Sequence, residues 1–134
     1  MKIGHYKDNF AVLFHHFHNN KKFYKSPGSL TGKNFEKFIF KNKDLIIDPS
    51  DYLNNLKSKN KLTSLTFDDG LKCQYEIVVP ILKKYNLKAF FFIPTSNFEN
   101  NYLSVEIIRY LKYKKFSKIN DFYNYFFQQL KNFS

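Results

Sequence analysis

Two short apolar runs, residues 62–67 (LTSLTF) and 88–95 (KAFFFIPT), flank a segment whose apolar residues Ile77, Val78, Ile81, Leu82 and Tyr85 recur at helical spacing. The first run is rich in Thr and Phe, residues that suit a pleated, half-buried surface. The second is almost wholly apolar, the pattern of a strand buried on both faces. Strand, helix, strand at this spacing is a βαβ unit, and its two strands should be parallel with a right-handed crossover. Pro80 would break a helix interior, which predicts a helix starting only around Tyr75 with Pro80 near its first turn. Asn86 can end that helix in the left-handed conformation. The fold class is therefore α/β.

The rest of the chain fits this frame. Residues 10–17 hold an apolar run ending in histidines, in which Val12 and Phe14 suit a short strand. A polar loop over 18–28 follows. Ser29 or Thr31 can cap a helix whose buried face is Phe35, Phe38 and Ile39. Asp48-Pro49-Ser50-Asp51 is a helix start, with an N-cap Asp and then Pro at the first helical position. Tyr52, Leu53 and Leu56 would be the apolar stripe of that helix, and 57–61 a basic turn. Residues 102–133 read as two helices, one burying Ile107, Ile108 and Leu111, the other Phe122, Tyr123, Phe126, Phe127 and Leu130. No repeat or low-complexity linker divides the chain, so residues 1–134 read as one domain.

A hydrophobic fraction of 43% in 134 residues is ample for a packed core and excludes disorder by composition. The single cysteine, Cys73, allows no internal disulfide and fits a reducing compartment. Lys2, His5, Lys7 and Asp8 interrupt any apolar leader, and no run is long enough to span a membrane, so a cytoplasmic location is expected. The net charge of +11 raises a nucleic-acid partner. Yet Arg109 is the one arginine among 22 basic residues, and arginine is the usual choice for bidentate phosphate and guanine recognition. The scattered lysines read as a solvated surface, and no nucleic-acid partner is expected.

Asp68 and Asp69 carry the chemistry. Asp-Asp-Gly is also a common solvated turn. Here, however, the pair ends a buried strand and precedes its crossover helix, the place where parallel α/β folds gather catalytic groups. Two adjacent carboxylates repel unless a cation or a proton intervenes. A divalent metal would relieve them, with one Asp as ligand and the other free to take a proton from water.

Thr66-Phe67-Asp68-Asp69-Gly70 resembles the TFDDG motif of the polysaccharide deacetylases, the NodB-homology or carbohydrate esterase 4 family. The stretch 74–95, with PILKKYNLKA and FFFIPT, is similar to that family, as are the upstream Phe14-His15-His16-Phe17-His18 and SPGSLTGKNFEKFI. The resemblance covers at least residues 12–95, and 102–127 resembles an insertion of a bacterial subgroup. It implies a distorted (β/α) barrel, of which this chain would be the N-terminal half, with parallel strands and crossover helices. It implies metal-dependent removal of acetyl groups from N-acetylated sugars of a polysaccharide, Asp68 as general base, Asp69 as ligand of a divalent metal (zinc first), and His15 or His16 lining the substrate pocket.

The sequence departs from the family where its second motif, H-x-x-x-H, should stand. His5, His15, His16 and His18 are the four histidines, and all precede Asp68. The later arginine-bearing motif, the hydrophobic patch and the catalytic histidine also have no counterpart, and such a barrel needs roughly 200 residues or more. The domain therefore reads as incomplete, ending before the histidine motif. The isolated chain is expected to be inactive unless a complementary C-terminal chain completes it; the alternative is a non-catalytic carbohydrate-binding or protein-interaction module. His16 and His18, two apart, would share a strand face and with Asp69 form a substitute ligand set. Packing is the simpler reading of both, and of Cys73.

Overall fold

The computed structural model describes residues 8–19, 21–57, 62–99 and 103–132. Lys2, His5, Lys7 and residues 58–61 of the basic turn lie outside them. The elements run β1 (Phe10–Phe14), β2 (Phe17–His18), β3 (Leu30–Thr31), α1 (Gly32–Asn42), α2 (Pro49–Asn54), β4 (Thr63–Asp68), a π-helical turn (Gln74–Val78) leading into α3 (Val79–Lys84), β5 (Phe90–Phe92), α4 (Ser104–Tyr110), a second π-helical turn (Leu111–Lys115) and α5 (Ile119–Lys131).

β1, β4 and β5 form a parallel sheet in the order β1-β4-β5. The expected βαβ unit is present, with β4 at its centre. The register sets Phe14 beside Phe67 and Asp68 beside Phe92, so the carboxyl ends of β1 and β4 lie next to each other. β2 and β3 make a separate two-stranded parallel ladder.

α1 lays Phe35, Phe38 and Ile39 on the sheet, as their spacing predicts. They pack with Phe17, Ile46, Leu65, Phe67, Val78 and Leu82 into one core. Its centre is aromatic: Phe14 meets Phe35 edge-on at 5.2 Å and stacks on Phe67 at 5.5 Å, and Phe67 stacks on Phe91 at 4.9 Å. Such pairs add about 0.5–1.5 kcal/mol each beyond their buried area. Of the two candidate caps of α1, Thr31 takes the role, its Oγ1 accepting from Asn34 N–H at 3.1 Å. Asp48 caps α2 through Ser50 N–H at 3.0 Å, with Pro49 following.

Four expectations are corrected. The helix after the acidic pair does not wait for Tyr75. Its helical backbone begins at Lys72, which places Pro80 inside it. The π turn makes this possible: Val79 N–H bonds Gln74 O, five residues back, and the widened turn makes room for a ring that would clash in a regular helix. The left-handed Asn86 (φ 51) does end it, with Leu87 N–H returning to Leu82 O at 2.9 Å. β5 is three residues long rather than eight, and it is not buried on both faces. Among the described residues it is the last strand of the sheet, and Phe91 and Phe92 are exposed. α2 stops at Asn54, which strands Leu56 beyond it, and Leu53 and Leu56 both face solvent. Finally, the two C-terminal helices form, but of their expected stripes only Phe122 is buried; Ile107, Ile108, Leu111, Tyr123, Phe126, Phe127 and Leu130 are open. Among the described residues no helix is long and apolar enough to cross a membrane.

Candidate active site

Asp68 is the last residue of β4, and the chain turns sharply after it. Asp69 (φ 73) and Gly70 (φ 60) are both left-handed. Glycine adopts this conformation freely; Asp adopts it at a cost that surrounding structure must hold. The second position also needs glycine for space, because a Cβ there would sit 3.0 Å from Ile93 Cγ2.

The neighbouring strand supplies the imidazole. His15 follows the end of β1, its Nδ1 3.3 Å from Asp69 Oδ2 and its Nε2 4.0 Å from Asp68 Oδ2. Parallel pairing of β1 with β4 is what brings together residues so distant in sequence. The turn itself is tied down twice. Asn97 Nδ2 donates to Asp69 O at 3.1 Å, and the buried Gln74 donates through Nε2 to His15 O at 2.9 Å and Asp68 O at 2.6 Å.

Beside this group lies an open cavity of about 400 Å³ lined by His15, His16, Asp69, Glu106 and Arg109, with Leu13 and Phe14 among its apolar walls. Asp68 is not among its lining residues, though it lies 4.0 Å from His15, which is. His16 Nε2 is 3.0 Å from Glu106 Oε1, to which Arg109 Nε donates at 3.3 Å. Burial holds the His16 imidazole below its ordinary value, against the opposing pull of Glu106.

The structure thus brings Asp68, Asp69 and His15 together and puts His16 in the adjoining wall. It does not bring His18 to them. His18 is buried in β2, beyond the loop that carries His16, and pairs with Ser29 Oγ at 2.9 Å. Cys73 is packed in the core, where burial pushes its thiol up. Among the described residues, no three His, Cys, Asp or Glu side chains come together so as to hold a metal ion. Asp69 and His15 offer one carboxylate and one imidazole, two donors where a catalytic zinc takes three from protein.

Gln74, Glu106 and Arg109 are contributors that sequence reading passed over. Glu106 and Arg109 lie three apart on α4, a spacing that does signal a pair on one helix face. Nothing in the sequence points that face toward His16. Gln74 carries no local signal at all, since its role depends on two backbone carbonyls.

Comparison with known proteins bears on the family and the fold. A family model described as polysaccharide deacetylase matches residues 55–119. The fold is similar to that of a de-N-acetylase from Aggregatibacter actinomycetemcomitans, with a TM-score of 0.54 and 19% identity over 69% of this chain and 40% of that one. It is similar also to the Streptococcus pyogenes deacetylase PplD, solved in complex with acetate, with a TM-score of 0.52 and 24% identity over 72% of this chain and 48% of that one. The chain therefore spans less than half the length of either structure. No curated protein matches it in sequence.

Proposed function

We propose that this chain, which carries part of a polysaccharide deacetylase domain, serves the de-N-acetylation of an N-acetylated sugar within a polysaccharide. Asp68 is the general base, taking the proton of the attacking water. Asp69 is a ligand of a divalent metal, zinc being the first to test. His15 and His16 line the space for the acetamido sugar. The observation that carries this reading is the His15 imidazole set against both carboxylates of the strand-end pair, at the edge of a cavity of about 400 Å³.

The donor count also argues that the 134 residues do not work alone. With Asp69 as ligand, and even with the His15 imidazole beside it, a metal would be held weakly and stay largely hydrated. The remaining ligands and the general acid would come from outside these 134 residues, and a complementary C-terminal chain is the source to test. The open apolar surface of β5, α4 and α5 favours a second reading, in which the chain is a non-catalytic interaction module.

The test is acetate release from N-acetylglucosamine oligomers, with zinc or cobalt added. The isolated chain should give none. Mixed with a chain supplying the rest of the barrel, it should become active, and Asp68→Asn should abolish that activity. Robust metal-dependent turnover by the isolated chain would overturn the requirement for a partner. Activity that survives Asp68→Asn would overturn the assignment of the base.

A further inference from the structure

The ladder between β1 and β4 ends at the pair Phe14 and Phe67. The residues that matter chemically begin just beyond it. His15 has left β1, and Asp68 is paired with β5 on its other side. No rung of the sheet therefore fixes His15 relative to Asp68.

The Gln74 side chain supplies that rung. It is 1% exposed, at the first position of the π turn. Its amide nitrogen has two protons, and there are two acceptors: His15 O at 2.9 Å and Asp68 O at 2.6 Å. The amide orientation follows from this, since the oxygen in the same place would face two carbonyls. The oxygen, for its part, is buried with no hydrogen-bond partner among the described residues. A buried unpaired acceptor is costly, and an apolar side chain of the same shape would avoid the cost. The amide is worth that cost only for its two donors.

We propose that Gln74 is a positioning residue, which clamps the carbonyls of His15 and Asp68 and so sets the spacing at which the His15 ring meets the Asp68 and Asp69 carboxylates. The clamp acts through backbone; Gln74 touches no reacting group. Its importance to catalysis rests on the deacetylase reading of that acidic pair, whereas its geometry can be measured without any activity.

The experiment uses the full chain labelled with ¹⁵N and ¹³C. Through-hydrogen-bond correlations from Gln74 Nε2 to the carbonyl carbons of both His15 and Asp68 are expected, and their absence from the wild-type protein overturns the clamp. Gln74→Met keeps length and apolar volume but has no donor. It should retain the cross-peaks between the stacked Phe67 and Phe91 rings, a sign of an intact core, and lose those between the His15 ring and the Asp69 β protons. Gln74→Asn serves if the Met variant does not fold. One methylene shorter, it should keep at most one of the two correlations. Unchanged His15–Asp69 cross-peaks in either folded variant overturn the proposal. If the clamp is seen but the complemented protein releases no acetate from N-acetylglucosamine oligomers, the deacetylase reading fails and the geometry stands.

Discussion

His16 and Glu106, 90 positions apart in sequence, meet at 3.0 Å and join α4 to the loop after β1. The pair is largely shielded from water, and burial outweighs Glu106 in holding His16 below its ordinary value of 6.5; Arg109 and His15 push the same way as burial. The sign follows. Between the lowered folded value and 6.5 the unfolded chain binds more protons than the folded one, so stability rises with pH through that window and is lost as pH falls below about 6.5. Urea midpoints should therefore drop between about pH 7.5 and pH 5, and His16→Gln should make that drop smaller. An equal drop in the variant would remove His16 as its source.

Gly70 answers to two constraints at once, a positive φ of 60 and an Ile93 methyl group 3.0 Å from where a Cβ would be. The first alone costs an L-residue about 1–2 kcal/mol. Gly70→Ala should therefore lower stability by at least about 1 kcal/mol in urea unfolding. Pairing it with Ile93→Val leaves the Cγ2 methyl in place and should rescue little.

Those two glycine constraints show where the sequence was readable and where it was not. The βαβ unit, the Thr31 and Asp48 caps and the Phe35–Phe38–Ile39 face were legible because each depends on residues within a turn or two of one another. The acidic pair was legible because it sits where such a unit places its strand end. The errors all arise from tertiary context. Phe90, Phe91 and Phe92 are as apolar as a central strand, but among the described residues β5 is an edge strand with no neighbour on its outer side. The stripes of α4 and α5 have the right period, yet the described residues do not cover them. Pro80 is expected near the first turn of a helix begun around Tyr75 because a regular helix interior forbids it, and the π turn that admits it has no simple sequence mark. Gln74 and Glu106 act on groups 59 and 90 positions away, a distance no local pattern reports.

Asp48 ties the start of α2 to Lys88, just ahead of β5, its Oδ2 2.8 Å from Lys88 Nζ. The lysine, with the hydroxyl and N–H of Ser50, holds its carboxyl at about 2. The folded value lies below the unfolded 3.8, so whatever stability the carboxylate gives is present above 3.8 and lost as pH falls toward 2. The lysine is exposed and the carboxylate half-buried, and salt should weaken the pair. A carbon-detected titration should find Asp48 half-protonated near 2. Asp48→Asn keeps a good cap for α2 but removes the charge, and should flatten the acid limb of the stability profile over that interval.

Asp69 is the position where fold and chemistry pull apart. Its φ of 73 would suit glycine better, and its carboxylate makes no contact that the core needs. The backbone carbonyl that accepts from Asn97 would survive any substitution. Asp tolerates the left-handed region better than most residues, so the gain from relieving it is modest. Asp69→Gly should therefore hold or raise stability, by up to about 1 kcal/mol, whereas Asp69→Ala, with a Cβ and no local hydrogen bonding, should lower it by about 1 kcal/mol. Both remove the carboxylate beside His15, and both should abolish any acetate release gained by adding a complementing chain. A residue kept for the turn alone would give the opposite pattern, with Asp69→Gly losing stability in urea unfolding and activity following the fraction folded. A more stable but inactive Asp69→Gly would instead mean that the turn tolerates its strained aspartate for the sake of the carboxylate.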